Sequence, residues 1–212
     1  MTLKRKLLRK SRLYIILDKE TSGRKSLLKI AKEAALQKDC IIQLRDKRSK
    51  PREILQDALA LSNALSKTKS LFIINDHLEI AALVNCDGVH LGQQDIPIEL
   101  ARRILGNKKI IGISCHNLAQ AMEAQKKGAD YIGIGPIFST PTKPEYKAIG
   151  SDILKDIKKH ITIPFFPIGG IDETTIQKVV SAGARRVSVC RAVCKKRSVG
   201  KAIQNLKKYL YR

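Results

Sequence analysis

The chain has 212 residues, enough for one domain with a single sizeable core, and 43% of them are apolar, a globular value that excludes a disordered chain. The 41 Lys and Arg against 19 Asp and Glu leave a net charge of +22. That field draws anions (nucleic acid, acidic membrane or phosphorylated metabolites) without choosing among them.

The opening run MTLKRKLLRKSR is basic and lacks the apolar stretch of a signal peptide, so residues 1–12 read as a frayed basic arm ahead of a catalytic domain over 13–212. From residue 13 onward, short β-branched runs alternate with longer amphipathic ones. Leu13 to Leu17 is the first strand, and Lys25 to Gln37 is a helix with apolar residues at helical spacing. CIIQLR is the second strand, followed by a helix opened by Pro51. SLFIIND and DGVHLG are the third and fourth strands, followed by HLEIAALV and by a helix from near Pro97. KIIGIS is the fifth strand, and the helix after it stops at Gly128, as a left-handed cap requires. ADYIGIG is the sixth, with a longer loop from Pro136 to Gly150 and then the helix SDILKDIKKH. TIPFFPIGG and ARRVSVC are the last two strands, each with a helix behind it, the first capped by Asp172.

Eight βα units in a chain of this length fit an α/β fold, a single (β/α)8 TIM barrel. The rival is an open doubly wound sheet, which wants a glycine-rich phosphate turn after the first strand. LDKETSGRKS is not one, and the glycine-dense turns come late, after strands six and seven. With no Trp and 4% aromatics, the core is expected to be Ile, Leu, Val and Ala. No apolar run is long enough to span a bilayer. The five cysteines include no CxxC pair and read as reduced thiols of a cytoplasmic protein, not a zinc site.

Reactive residues of a barrel gather at the C-terminal strand ends. After strand two, Gln43, Arg45 and Lys47 alternate onto one side and suit a polyphosphate clamp, although solvated charges explain them as well. Asp76 after strand three and Asp95 after strand four suit a shared Mg²⁺, and each also suits a helix cap. After strand five come Ser114, Cys115 and His116; a cysteine nucleophile there lacks a clear charge partner. The strand-six loop offers Ser139, Thr140, Thr142 and Lys143. Gly169 and Gly170 let backbone N–H groups approach an anion, and a tight turn explains one of them more easily than two. Cys190 and Arg191 precede the last helix. The expectation is two phosphate sites, one near strands seven and eight and a larger one near strands two, three, four and six.

The segments QLRDK, FIIND, DGVHLGQQD, IIGISCHN, GADYIGIGPIFSTPTK and PIGGI, in this order, resemble the thiamine-phosphate synthase family from about Tyr14 to the final helix. The resemblance implies condensation of 4-amino-2-methyl-5-(diphosphomethyl)pyrimidine with 4-methyl-5-(2-phosphoethyl)thiazole. The products are thiamine phosphate and pyrophosphate. It also implies roles. Gln43, Leu44, Arg45, Asp46, Lys47 and Asn75 would hold the diphosphate, and Asp76 and Asp95 would bind Mg²⁺. Ser114 and Lys143 would contact the diphosphate substrate. Thr140, Pro141, Thr142, Gly170, Cys190 and Arg191 would hold the thiazole phosphate. Arg45, Lys47, Ser114 and Lys143 are the catalytic candidates, because pyrophosphate departs before the thiazole nitrogen attacks and the leaving charge needs stabilising.

Departures from the family pattern are Cys86, Asp46 in place of Glu, Arg191 where Ser is common, and the Phe165-Phe166-Pro167 lead-in. A sister thiazole tautomerase would use His116 as acid/base, but it lacks the metal aspartate that stands here as Asp95. A nucleic-acid-binding module rests on charge alone, so any nucleic acid contact is expected to be nonspecific. The expected partners are two small phosphorylated substrates and no membrane, with a homo-oligomer left open.

Overall fold

The computed structural model describes residues 1–23, 25–141 and 146–211. Eight parallel strands run β1 Leu13–Asp18, β2 Cys40–Arg45, β3 Leu71–Asn75, β4 Gly88–Leu91, β5 Ile110–Cys115, β6 Tyr131–Ile134, β7 Phe165–Pro167 and β8 Val187–Val189. They pair in the order β7-β6-β5-β4-β3-β2-β1-β8, a nearly closed TIM barrel. β7 lies against β8 without a ladder among the described residues. Proline explains the gap. Ile168 N–H donates to Ile134 on β6, so the alternate residue Pro167 faces β8 and has no N–H to give.

The helices are α1 Leu3–Lys10, α2 Lys19–Ser22, α3 Leu27–Ala35, α4 Pro51–Leu65, α5 Leu78–Leu83, α6 Ile98–Leu105, α7 Leu118–Lys126, α8 Ile153–His160, α9 Ile176–Ser181, α10 Arg191–Cys194 and α11 Val199–Leu210. None is long and apolar enough to cross a membrane among the described residues. Their apolar faces and the outward strand residues form the large outer core, which is aliphatic as expected. The barrel centre adds aromatic rings to its Ile and Leu residues. There Tyr14, Tyr131 and Phe166 pack edge to face or tilted, with ring centroids 5.4 to 5.7 Å apart. Few aromatics in the whole chain hid the fact that three of them meet at one place.

Two local expectations change. The N-terminal dozen does not fray. Thr2 caps α1 by accepting from Arg5 N–H, and Leu8 is buried with Leu71, Ile110 and Tyr131 at the floor of the barrel. Burying that leucine contributes roughly 2 kcal/mol. Lys4 pairs with Asp87 at 3.0 Å and Arg5 with Asp130 at 2.6 Å, so the first turn of the helix is pinned. Charge counting along the arm misses this because the acidic partners come from turns far away in sequence. Secondly, α9 starts three residues later than Asp172 suggests. Thr175 is its cap position, and the Asp172 carboxylate instead accepts from the N–H groups of Thr174 and Thr175.

Candidate active site

A cavity of about 620 Å³ opens at the C-terminal end of the barrel. Its floor is the aromatic cluster, and its walls are strand ends. On one wall stand Asp18, Gln43, Arg45 and Asn75, from β1, β2 and β3. Opposite them lie Gly169 and Gly170 after β7, and Cys190, Arg191, Lys195 and Lys196 after β8. Ser114 and His116 come from β5 and its turn, and Thr140 and Pro141 from the loop after β6. Thr142 and Lys143 lie outside the described residues.

Strand alternation sorts the segment after β2. Gln43 and Arg45 point inward and line the cavity, while Leu44 turns outward into the layer between barrel and helices. Leu44 can therefore offer only its backbone. Asp46 is buried and occupied by its own turn, accepting from Arg48 N–H and Ser49 N–H at 3.0 Å and pairing with Lys19 at 3.3 Å. Burial raises its pKa, but the Ser49 and Arg48 donors and Lys19 outweigh that and bring it down to about 2.

The expected clamp cations already hold carboxylates. Arg45 pairs with Asp18, which also accepts from Thr21 N–H at 2.7 Å. Lys47 lies 2.9 Å from Asp76. Asp18 had only been read as part of a turn without phosphate-binding character, and nothing in its local pattern announces the Arg45 contact.

Asp76 and Asp95 stand side by side at the rim of the β3 and β4 ends. Burial raises the pKa of Asp76, but Lys47 overcomes it and the net shift is downward. Asp95 is shifted upward by burial and by the negative charge of Asp76, against the opposing Gly92 N–H, which it accepts at 2.6 Å. Asp76 adopts φ +60, a left-handed conformation costly for a non-glycine residue. Two crowded carboxylates, one of them pushed toward its neutral form by the other, suit a hard cation. Among the described residues no group of three or more His, Cys, Asp or Glu could hold a metal. A cation here would therefore complete its shell with substrate oxygens and water.

The two late glycines are both explained by geometry. Gly169 has φ +99, and a Cβ there would lie 2.4 Å from Pro136 Cβ. Gly170 has φ +61, and its Cβ would lie 2.7 Å from Phe138 Cβ. The loop after β6 is bonded onto this turn, Ile137 N–H to Ile168 and Phe138 N–H to Gly169, so the pair exists to let two backbones touch. Cys115 is buried, and burial pushes its thiol up to about 12, which removes it as a nucleophile. His116 is engaged by Gly135 O at 2.7 Å and stacks on Tyr146 with centroids 4.7 Å apart.

Sequence reasoning passed over Tyr14, His90 and Tyr131 as site residues. All three line the cavity, and their signal was a polar ring at an inward strand position. Lys195 and Lys196 line the cavity as well.

Comparison with known proteins finds relatives along nearly the whole barrel. The thiamine monophosphate synthase family matches residues 13–193. A thiamine-phosphate synthase of Chloroflexus aurantiacus is 39% identical over 197 residues, covering 92% of this chain and 91% of its own. One from Shouchella clausii is 40% identical over 196 residues, covering 92% and 94%. Among solved structures, thiamine phosphate pyrophosphorylase from Pyrococcus furiosus superposes with a TM-score of 0.86 at 33% identity, over 99% of this chain and 98% of that one. A 3-hexulose-6-phosphate synthase at 18% identity and a TM-score of 0.68 shares the fold alone. With the match running through every strand of the barrel, the chain belongs to the thiamine monophosphate synthase family.

Proposed function

We propose that the cavity joins a diphosphomethyl pyrimidine to a phosphorylated thiazole, with Mg²⁺ at Asp76 and Asp95. Family membership makes the chain an enzyme of thiamine phosphate synthesis; the division of labour among its residues is the proposal. The observation that carries it is the adjacent carboxylate pair at the β3 and β4 ends, beside a cavity with two separate sets of anion-binding groups.

Bound Mg²⁺ would supply Lewis-acid neutralisation of the diphosphate. Lys47, which pairs with Asp76, and Arg45, which lines the cavity, would turn from their carboxylate partners to the diphosphate oxygens. Ser114 would donate a hydrogen bond from β5. Across the cavity, Thr140, Gly170, Cys190 and Arg191 would hold the thiazole phosphate. The thiazole nitrogen carries no proton to remove, so no general base is needed, and the buried Cys115 and engaged His116 fit that requirement. The same geometry gives the tautomerase alternative no support. The five unpaired thiols suit a reducing compartment.

The test is a reaction of purified protein, both substrates and Mg²⁺, followed for thiamine phosphate and pyrophosphate. Stoichiometric appearance of both is expected. No product, alongside an active control enzyme, would overturn the assignment.

A further inference from the structure

Five side chains form one line of hydrogen bonds through the barrel interior. Gln43 Nε2 donates to Tyr14 Oη at 2.9 Å, and the Tyr14 and Tyr131 hydroxyls meet at 2.7 Å. Tyr131 Oη lies 3.0 Å from His90 Nδ1, and His90 Nε2 lies 2.9 Å from Ser114 Oγ. Protons along such a line can be counted. An amide NH₂ only donates, each hydroxyl owns one proton, and a neutral imidazole owns one. Tyr14 Oη accepts from Gln43, and the arrangement in which every proton in the line is used has Tyr14 donating to Tyr131. Tyr131 then gives its proton to Nδ1 of His90. A neutral imidazole then carries its proton on Nε2, where it donates to Ser114 Oγ. The proton of Ser114 is left over, and Ser114 lines the cavity.

We infer that this ordered relay commits Ser114 to act as a donor toward an anion in the cavity, with Tyr14, Tyr131 and His90 as positioning residues. The inference rests on the reading above that a diphosphate binds beside Ser114. Other features of the fold keep the relay in place. Burial raises the pKa of both tyrosines, so they hold their protons. Gly112 clears the space for the Tyr131 ring, since a Cβ there would lie 2.0 Å from it. The reversed line, with the Gln43 amide turned over, would direct the Ser114 proton to His90. It would then present only oxygen lone pairs to an anionic substrate, which repel it.

The direction of the line is readable by NMR. In protein labelled with ¹⁵N in its imidazoles, with the His90 signals identified by their loss in His90→Asn, we expect a neutral ring protonated on Nε2. A ring protonated on Nδ1, or on both nitrogens at neutral pH, would overturn the relay. Tyr131→Phe removes the donor to Nδ1. It should release His90 into mixed tautomers and lower kcat about tenfold, the loss of one hydrogen bond to a charged group. KM for the thiazole phosphate should not move. Unchanged kcat in a folded Tyr131→Phe protein would also overturn it. Ser114→Thr should keep activity that Ser114→Ala loses. The spectrum is recorded without substrate, so it decides the relay whether or not turnover is seen.

Discussion

On the β2 to β4 side of the cavity, the two expected clamp cations each have a carboxylate against them, Arg45 against Asp18 and Lys47 against Asp76. On the β7 and β8 side, Lys196 has Glu173 3.8 Å away, while Arg191 and Lys195 have no ion-pair carboxylate among the described residues, and the glycine turn is packed against the loop after β6. Under the proposed function a diphosphate would enter the first side together with a cation, because an anion alone would face Asp18 and Asp76. The second would leave Arg191 and Lys195 to a monophosphate without a metal. The difference argues that a simple monophosphate belongs at β7 and β8, and a metal-bound diphosphate at β2 to β4.

The sharpest way to break this comparison is Asp95→Ala. It removes half of the carboxylate pair, and turnover should fall on the order of a thousandfold, about 4 kcal/mol of lost charge stabilisation. The dependence of rate on Mg²⁺ should weaken with it; unchanged turnover would place the metal elsewhere.

Gly169→Ala tests the other side. It forces a side chain into φ +99 and onto Pro136. Strain and overpacking together should cost about 3 kcal/mol, read as a lower midpoint in urea. An unchanged midpoint would show that the loop after β6 yields easily.

Arg191→Ala should raise KM for the thiazole phosphate about tenfold and leave KM for the diphosphate alone, in keeping with a charge-assisted contact at an exposed site. Equal changes in both constants would erase the distinction between the two sides.

The smallest effect concerns Asp46. Its pKa is lowered to about 2 from the usual 3.8, so its ion pair and turn bonds stabilise the folded state fully above the ordinary value and fade as pH falls toward 2. Asp46→Asn should therefore lower Tm by about 2 to 4 °C at neutral pH, and this gap should close in acid. A gap that widens in acid would reverse the assignment.

Much of the site was legible because strand ends in a barrel are chemically exposed positions. The alternation of β2 separated Gln43 and Arg45 from Leu44, and Asp76 and Asp95 did come together, although neither caps a helix, His77 and Pro97 taking those positions. The relay through Tyr14, Tyr131 and His90 was not legible, because its members come from β1, β6 and β4 and meet only where the barrel closes on itself. The same reason hid the Asp18 partner of Arg45, which lies 27 residues back in the chain.

Local pattern alone determined the number and order of strands, the helix stops and the chemistry available at each strand end, since hydrophobic period and turn residues act over a few positions. The tertiary structure alone decided which charges neutralise one another, which way protons point through the barrel centre, and that a basic N-terminal segment becomes a helical floor. Electrostatic and hydrogen-bond energies depend on distances between residues far apart in sequence, and only closure of the barrel fixes those distances.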